Sequence, residues 1–338
     1  MADALLQTDA NGLYCAAGDF HVDPWRPVDR ALITHAHSDH ARAGSASYLT
    51  CASGVAVLRE RLGAGARIEG LPWAERRVIN GVAVSFHPAG HVLGSAQIRI
   101  EHRGEVWVVS GDYKIRADGV SEPFEPVRCH TFITESTFGL PIYRWRPQAE
   151  VLADITEWWR RNQEQDRTSV LFAYALGKAQ RLLANVDATL GPVFVHGAVE
   201  KFLPIYAAAG VRFPPTQRAT ADAVKAARGK ALVIAPPSAE GTPWLRKFGE
   251  CSTAFASGWM QIRGARRRRS ADRGFVLSDH ADWPGLQAAI EATGASRVLV
   301  THGYTGPMVR WLREKGWEAD TLETRYEGEQ DAAESAQT

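Results

Sequence analysis

Apolar residues in this chain come in short runs, and in the first 140 positions most of these runs stop just before a histidine, an aspartate or a glutamate. Ala31–Thr34, Val82–Phe86, Ala96–Ile100, Val106–Val109 and Thr131–Thr134 read as buried strands, because each is short, apolar and rich in branched side chains. An ionisable residue directly after such a strand sits on a loop that the sheet holds in place. Binding and catalytic groups concentrate there.

Beyond Gly139 the rhythm changes. Gln148–Gln163 carries Val151, Ile155, Trp158 and Trp159 at helical spacing and predicts an amphipathic helix. The runs Ser169–Phe172, Val193–Val195 and Ala231–Ile234 then alternate with a helical stretch over Lys178–Val186, the order of a parallel α/β unit. From Gly274 the first pattern returns, with strand Phe275–Leu277, helix Trp283–Thr293 and strand Arg297–Val300. The alternation predicts an α/β insert of about 135 residues within a discontinuous first domain. The expected bounds are 1–140 with 274–326 for that domain and 141–273 for the insert, followed by a flexible polar tail over 327–338. No internal repeat is evident.

Composition narrows the class without naming it. A hydrophobic share of 45% and a charged share of 23% over 338 residues suit a globular protein with a sizeable core. The net charge of +1 announces no polyanionic partner, so any nucleic-acid signal must be local. Cys15, Cys51, Cys129 and Cys251 are far apart and form no C-x-x-C pair. That spacing speaks against a zinc ribbon or a disulfide framework and for a reducing compartment. With no basic-then-apolar leader pattern and no run near the ~20 apolar residues of a membrane span, the expectation is a cytoplasmic protein without membrane contact.

The chemistry concentrates at His35-Ala-His37-Ser-Asp39-His40, directly after a predicted strand. In an extended segment alternate residues share a side, so His35, His37 and Asp39 can converge, and a turn then brings in His40. Ala36 and Ser38 leave room for close approach. Imidazole with carboxylate suits Zn²⁺, with Mn²⁺ or Fe²⁺ as alternatives. The plain alternative is a His-rich surface loop, but three of the eleven histidines fall within six residues beside an acid at a strand end. Two further segments recur at strand ends: Gly90-His91 and Gly111-Asp112. Each alone is ordinary turn chemistry. Together with the first motif they describe one site.

H-x-H-x-D-H, then G-H, then G-D, resembles the metallo-β-lactamase superfamily. Thr134-Glu135-Ser-Thr-Phe-Gly139, Leu277-Ser-Asp-His280-Ala-Asp282 and Val300-Thr-His302-Gly303 resemble the three later motifs of its β-CASP nucleases, and Tyr174–Gln180 is similar to a helix start in their insert domain. Length and wording look most like bacterial ligase-associated DNA exonucleases. These are related to Artemis-type repair nucleases, to mRNA 3′-end cleavage factors and to RNase J enzymes. Phe20–Trp25 and Ser257–Trp259 are similar to the DNA-repair branch. The resemblance covers nearly all of residues 15–315.

The resemblance implies an α/β fold: a metallo-β-lactamase αββα sandwich carrying an inserted α/β β-CASP domain. It also implies two divalent metal ions. His35, His37 and His91 would hold one, Asp39, His40 and His302 the other, and Asp112 would bridge, with Asp23 orienting the histidine loop from behind. Asp39, Glu135 and His280 would be catalytic, His280 delivering a proton to the leaving oxygen while Glu135 steers it. His280 also reads as capping chemistry ahead of the helix at Trp283.

Candidate nucleic-acid contacts are Lys178 at a helix start, the run Arg266, Arg267, Arg268 and Arg269, and Trp259 as a stacking platform. Each has a plainer reading: an exposed first-turn lysine, a solvated loop, a core tryptophan. The implied activity is phosphodiester hydrolysis of DNA, as an exonuclease in repair beside a DNA ligase or helicase system, with RNA as the alternative substrate. His302 keeps that alternative open, because aliphatic residues are usual there in the DNA-repair branch and histidine in RNA-processing members. A small-molecule hydrolase or an inactive metal-binding scaffold would share the fold but not the insert or the full ligand set.

Overall fold

The computed structural model describes residues 4–262 and 271–326. Arg263, Arg266, Arg267, Arg268, Arg269 and the expected tail lie outside the described residues. The chain divides into two compact units, the first comprising residues 4–117, 121–144 and 280–326, the second residues 118–120, 145–262 and 271–279.

The first unit is built on two sheets. One is six-stranded, in the order Gln7–Thr8, Leu13–Cys15, Phe20–Val22, Arg30–Leu32, Ser47–Cys51, Ile68–Leu71. The other is seven-stranded, in the order Glu318–Thr321, Arg297–Gly303, Thr131–Ser136, Glu105–Val109, Ala96–His102, Val82–Pro88, Arg77–Ile79. Their facing sides share one core, in which Phe20, Val22 and Leu32 of the first sheet meet Val84, Phe86, Ile98 and Trp107 of the second. The outer side of the second sheet is covered by helices Trp283–Thr293 and Thr305–Glu314, whose Leu286, Ile290, Met308 and Leu312 pack on Val108, Phe132 and Val298. Covered on both faces, strand Thr131–Ser136 is buried at every position and reads as a continuous run rather than an alternation. Truncating a buried aromatic such as Phe86 costs about 3–5 kcal/mol, so the sandwich is a well-braced frame for the loops at its strand ends.

Register sets where those loops emerge. Val109 pairs in parallel with Ile133, and Thr134 with Val300, so Asp112, Glu135 and His302 leave the sheet at the same end. The irregularity between Thr134 and Ser136 falls on Glu135 itself. The short strands Gln7–Thr8, Leu13–Cys15 and Phe20–Val22 escape prediction because two or three residues carry no periodicity.

The second unit contains a six-stranded sheet in the order Thr216–Arg218, Val193–Val195, Leu232–Ala235, Thr168–Phe172, Cys251–Ala256, Arg273–Phe275, parallel throughout. Helix Gln148–Glu164 buries Val151, Ile155, Trp158, Trp159 and Asn162 at helical spacing, against one face. Val170, Phe172 and Val233 face the opposite core, with Val224, Phe248 and Met260. Sequence reading assigns the segment from Gly274 onward to the first domain. Strand Arg273–Phe275 instead pairs with Cys251–Ala256 in the second unit. Ladder hydrogen bonds decide strand membership, and a run of three residues does not reveal its neighbour.

Candidate metal centre

The histidine loop starts from strand Arg30–Leu32 and is fixed by a buried carboxylate. Asp23 accepts hydrogen bonds from the Thr34 backbone N–H at 2.8 Å and from the Thr34 hydroxyl. Its Oδ2 lies 2.8 Å from His40 Nδ1. That contact puts the ring proton on Nδ1 and leaves the His40 Nε2 lone pair for the cluster. The Thr34 hydroxyl also lies 3.1 Å from His35 Nδ1, which orients the second ring in the same way. Thr34 has no place in the sequence motif, and its position one residue before His35 is the only signal that could have marked it.

Three imidazole nitrogens converge. His37 Nδ1 stands 3.1 Å from His35 Nε2 and 3.0 Å from His91 Nε2. The Asp112 Oδ2 is 3.5 Å from His35, 3.6 Å from His40 and 3.8 Å from His91, while its Oδ1 is 3.1 Å from His302 Nε2. Among the described residues these side chains form three groups able to hold a metal ion: His35, His37, His91 and Asp112; His40, Asp112 and His302; and Asp112, Glu135 and His280. Asp112 belongs to all three, as a bridging carboxylate would.

Extended alternation stops at His37. The His37 carbonyl accepts from the backbone N–H of His40 at 3.2 Å and of Ala41 at 2.8 Å, so the loop turns there. Asp39 therefore does not line up with His35 and His37 as alternation predicts. It stands on the His40 side, with Oδ2 3.7 Å from His40 Nε2, and outside the three groups.

Two glycines permit the close approaches. Gly111 has φ +56°, and a Cβ there would lie 2.7 Å from Thr34 Cβ. Gly90 has φ +78°, and a Cβ would meet the Lys114 carbonyl oxygen at 2.1 Å. The glycines before Asp112 and His91 are thus required by backbone conformation and by space together.

Electrostatics of the cluster match a site for cations. Burial holds the His35 imidazole well below its usual range, with His40 adding to the effect and Asp112 opposing it. Burial disfavours the charged form of His40 too, but Asp112, Asp39 and Asp23 outweigh it and lift His40 to about 10. Burial works against ionisation of Asp112, and the neighbouring His40, His280 and His302 overcome it, holding the carboxyl well below the usual range. Among the described residues His40 Nε2 and Asp112 Oδ1 are nonetheless buried without a hydrogen-bond partner, although His302 Nε2 stands 3.1 Å from that Oδ1. Buried polar atoms left unpaired beside converging ring nitrogens and a carboxylate are what a metal ion would satisfy. The residues fit a two-metal centre of the zinc-hydrolase type.

Next to it, His280 Nδ1 lies 2.9 Å from both oxygens of Glu135, and both residues are buried. Glu135 Oε1 also accepts from the Tyr113 backbone N–H at 2.8 Å, and Ala281 N–H bonds the Tyr113 carbonyl at 2.7 Å. The cap of helix Trp283–Thr293 is Asp282, whose side chain accepts from Gly285, so His280 is not the capping residue. Tyr326, which sequence reading passed over, stacks on the His40 ring at 4.4 Å and stands edge-on to His302 at 5.7 Å.

Two of the expected nucleic-acid contacts, Lys178 and Trp259, belong to the second unit. Lys178 is fully buried in the second unit, its ammonium 3.6 Å from Asp279 and 4.9 Å from the centre of the Tyr174 ring. That corrects the expectation of a solvent-facing lysine: a helix start within a parallel α/β layer is an interior position. Trp259 is half-buried against the apolar cluster that includes Phe248 and Met260.

No family model matches the chain. A probable DNA ligase of Opitutus terrae is 35% identical over 314 residues, which is 92% of this chain and 30% of that protein. Endoribonuclease YSH1 of Gibberella zeae is 28% identical over 197 residues, 57% of this chain and 22% of that protein. An RNase J-like protein of Methanocaldococcus jannaschii is 26% identical over 211 residues, 54% of this chain and 47% of that protein. The chain thus spans less than a third of the first two of these relatives. A crystal structure of a protein of unknown function from Enterococcus faecalis superimposes with a TM-score of 0.60 at 12% identity, over 88% of this chain and 80% of that one, which is a likeness of fold. The two-sheet sandwich, the shared-aspartate cluster and the extent of these matches have one common explanation: the chain belongs to the metallo-β-lactamase/β-CASP family.

Proposed function

We propose that this protein is a two-metal-dependent nuclease that hydrolyses phosphodiester bonds of DNA, acting as an exonuclease in repair. The observation that carries the reading is the joint presence of a doubly shared carboxylate, Asp112, and a buried His280–Glu135 pair in one group of side chains. The shared carboxylate suits two metal ions, and the His280–Glu135 pair suits delivery of a proton to the leaving oxygen of a phosphodiester.

In this reading His35, His37, His91 and Asp112 hold one ion, and His40, His302 and Asp112, with Asp39, hold the other. Bound there, two Zn²⁺ ions (with Mn²⁺ or Fe²⁺ as alternatives) supply positive charge that polarises a phosphoryl oxygen and lowers the pKa of a water toward about 7. Asp23 and Thr34 keep the histidine rings in the tautomer that offers a lone pair. Glu135 orients His280 through Nδ1, which leaves Nε2 as the atom that delivers a proton to the departing 3′- or 5′-oxygen. The two buried carboxylates of Asp112 and Asp23 thus have different tasks: one faces the ions, the other the loop.

DNA is favoured because the DNA ligase relative aligns over 92% of this chain, whereas the YSH1 relative aligns over 57%. That same relative supports action beside a DNA ligase. A second reading, cleavage of RNA, is favoured by the endoribonuclease and RNase J-like relatives. Arg266, Arg267, Arg268, Arg269 and Trp259 are proposed to contact the strand. Among the described residues no helix is long and apolar enough to cross a membrane, and a cytoplasmic location is part of the proposal.

The test is digestion of matched 5′-labelled and 3′-labelled DNA and RNA strands by the metal-loaded protein. Stepwise loss of DNA from one end supports the reading, and internal cleavage of RNA with intact DNA replaces it with the second. Absence of turnover on every strand, with metal bound, defeats both.

A further inference from the structure

The histidine loop is held from the inside by Asp23. The backbone between His35 and His37 is reached by a side chain from another element. Helix Val55–Leu62 ends at Gly63, whose φ of +93° closes the helix with its N–H on the Arg59 carbonyl. Arg61, in the last turn, sends its Nε to the Ala36 carbonyl oxygen at 3.0 Å. Ala36 is buried between His35 and His37, whose ring nitrogens approach to 3.1 Å.

From this geometry we infer that Arg61 is a positioning residue for the metal cluster, bracing the histidine loop from outside. The inference rests on the two-metal reading. The carbonyl of Ala36 belongs to the peptide plane that leads into His37, so rotation of that plane swings His37 Nδ1 relative to His35 Nε2 and His91 Nε2. A guanidinium Nε held in that plane's hydrogen-bonding direction resists the rotation. The charge of Arg61 is also attracted to Asp39, three residues further along. The C-terminal end of a helix favours a cation, which keeps the side chain at this post. Arg61 is exposed as a residue, although its Nε is engaged. Its removal therefore empties no core, and its effect should fall on the metal rather than on the fold.

The experiment compares full-length wild type, Arg61→Met and Arg61→Lys. Three quantities are measured: Zn²⁺ affinity by chelator competition, the visible absorption of the Co²⁺-substituted protein, and the melting temperature of the metal-free chain. Arg61→Met is expected to bind metal about tenfold more weakly, the lower end of what losing an outer partner of a ligand costs. Its Co²⁺ bands should shift in position or intensity, while the metal-free melting temperature stays within ~2 °C of wild type. Arg61→Lys should recover part of the affinity, since an ammonium donates but lacks the planar fork. Unchanged affinity and Co²⁺ spectrum in Arg61→Met overturn the inference. So does a loss of affinity matched by a fall in the metal-free melting temperature, which marks a structural role only. A wild-type chain that retains no metal defeats the two-metal reading itself; a wild type with two ions and an indifferent Arg61→Met defeats only the brace.

Discussion

Each unit of this protein buries a cluster of charged side chains, and the two clusters are finished in opposite ways. In the second unit, Asp279 meets Lys178 at 3.6 Å and Arg181 at 3.0 Å, while Arg181 also donates to the Ser278 carbonyl at 2.6 Å and to Gln148 at 2.6 Å. Anion, cations and donors answer one another there. In the first unit, carboxylates and imidazoles crowd around Asp112, yet among the described residues His40 Nε2 and Asp112 Oδ1 have no hydrogen-bond partner. Burying polar atoms is tolerated when they are paired and costly when they are not. A cluster that closes on itself is architecture, and one left with unpaired polar atoms facing inward is built for a ligand. Burial alone would not separate them, because Lys178 and His40 are both almost fully enclosed.

The contrast can be broken most forcefully at Asp112. Asp112→Ala removes the one ligand common to all three groups, and metal content should fall from two ions with turnover down by more than about a thousandfold, the range of a lost charge-stabilising group. Metal analysis beside a phosphodiesterase assay checks this; a variant with full metal and near-normal turnover would remove the bridging role. His280→Ala should separate chemistry from metal binding. It is expected to keep both ions and lose roughly 10²–10⁴ in turnover, as for removal of a general acid. Unchanged turnover at saturating substrate would take His280 out of the mechanism.

The self-contained cluster should respond in stability instead. Asp279→Asn leaves two buried cations without their counter-charge and is expected to destabilise the fold by about 3–5 kcal/mol, read from urea unfolding. If it lowers metal content without lowering stability, the division into architectural and functional clusters fails. The gentlest probe is pH. His40 is lifted from an ordinary imidazole value of about 6.5 to about 10 in the metal-free protein. A raised folded pKa contributes stability that is whole below the unfolded value and is lost as pH rises through the folded one. Metal-free protein should therefore lose stability between about pH 6.5 and about 10. Metal-loaded protein, in which His40 needs no proton, should not. Parallel slopes for the two forms would contradict it.

Much of the candidate centre was legible in advance because its residues sit at or near strand ends, where a motif and its sheet are neighbours in sequence. His35, His37 and His91 stand in one group with Asp112, and His302 stands in another with Asp112 and His40. Lys178 was misread for the opposite reason. A lysine after a glycine looks the same in sequence whether its helix starts at the surface or inside a layer, and only packing decides. Asp39 fell between these cases: alternation along an extended segment predicted its side, but two hydrogen bonds to the His37 carbonyl turned the loop first.

By itself, the amino-acid sequence determined the ligand types, their order, the glycines that let them approach and the alternation that announces two α/β units. These are local properties, set by neighbours a few residues apart. Tertiary structure alone decided that Asp112 would touch all three groups, that Glu135 would hold His280 across 145 positions, that Arg61 would grip Ala36, and that one buried charge cluster would be satisfied while the other was left open. Those outcomes depend on which strand ends share an edge of the sheet and on which polar atoms find a partner there. Long-range pairing of this kind is written in the packing of two cores, not in any stretch of chain short enough to read.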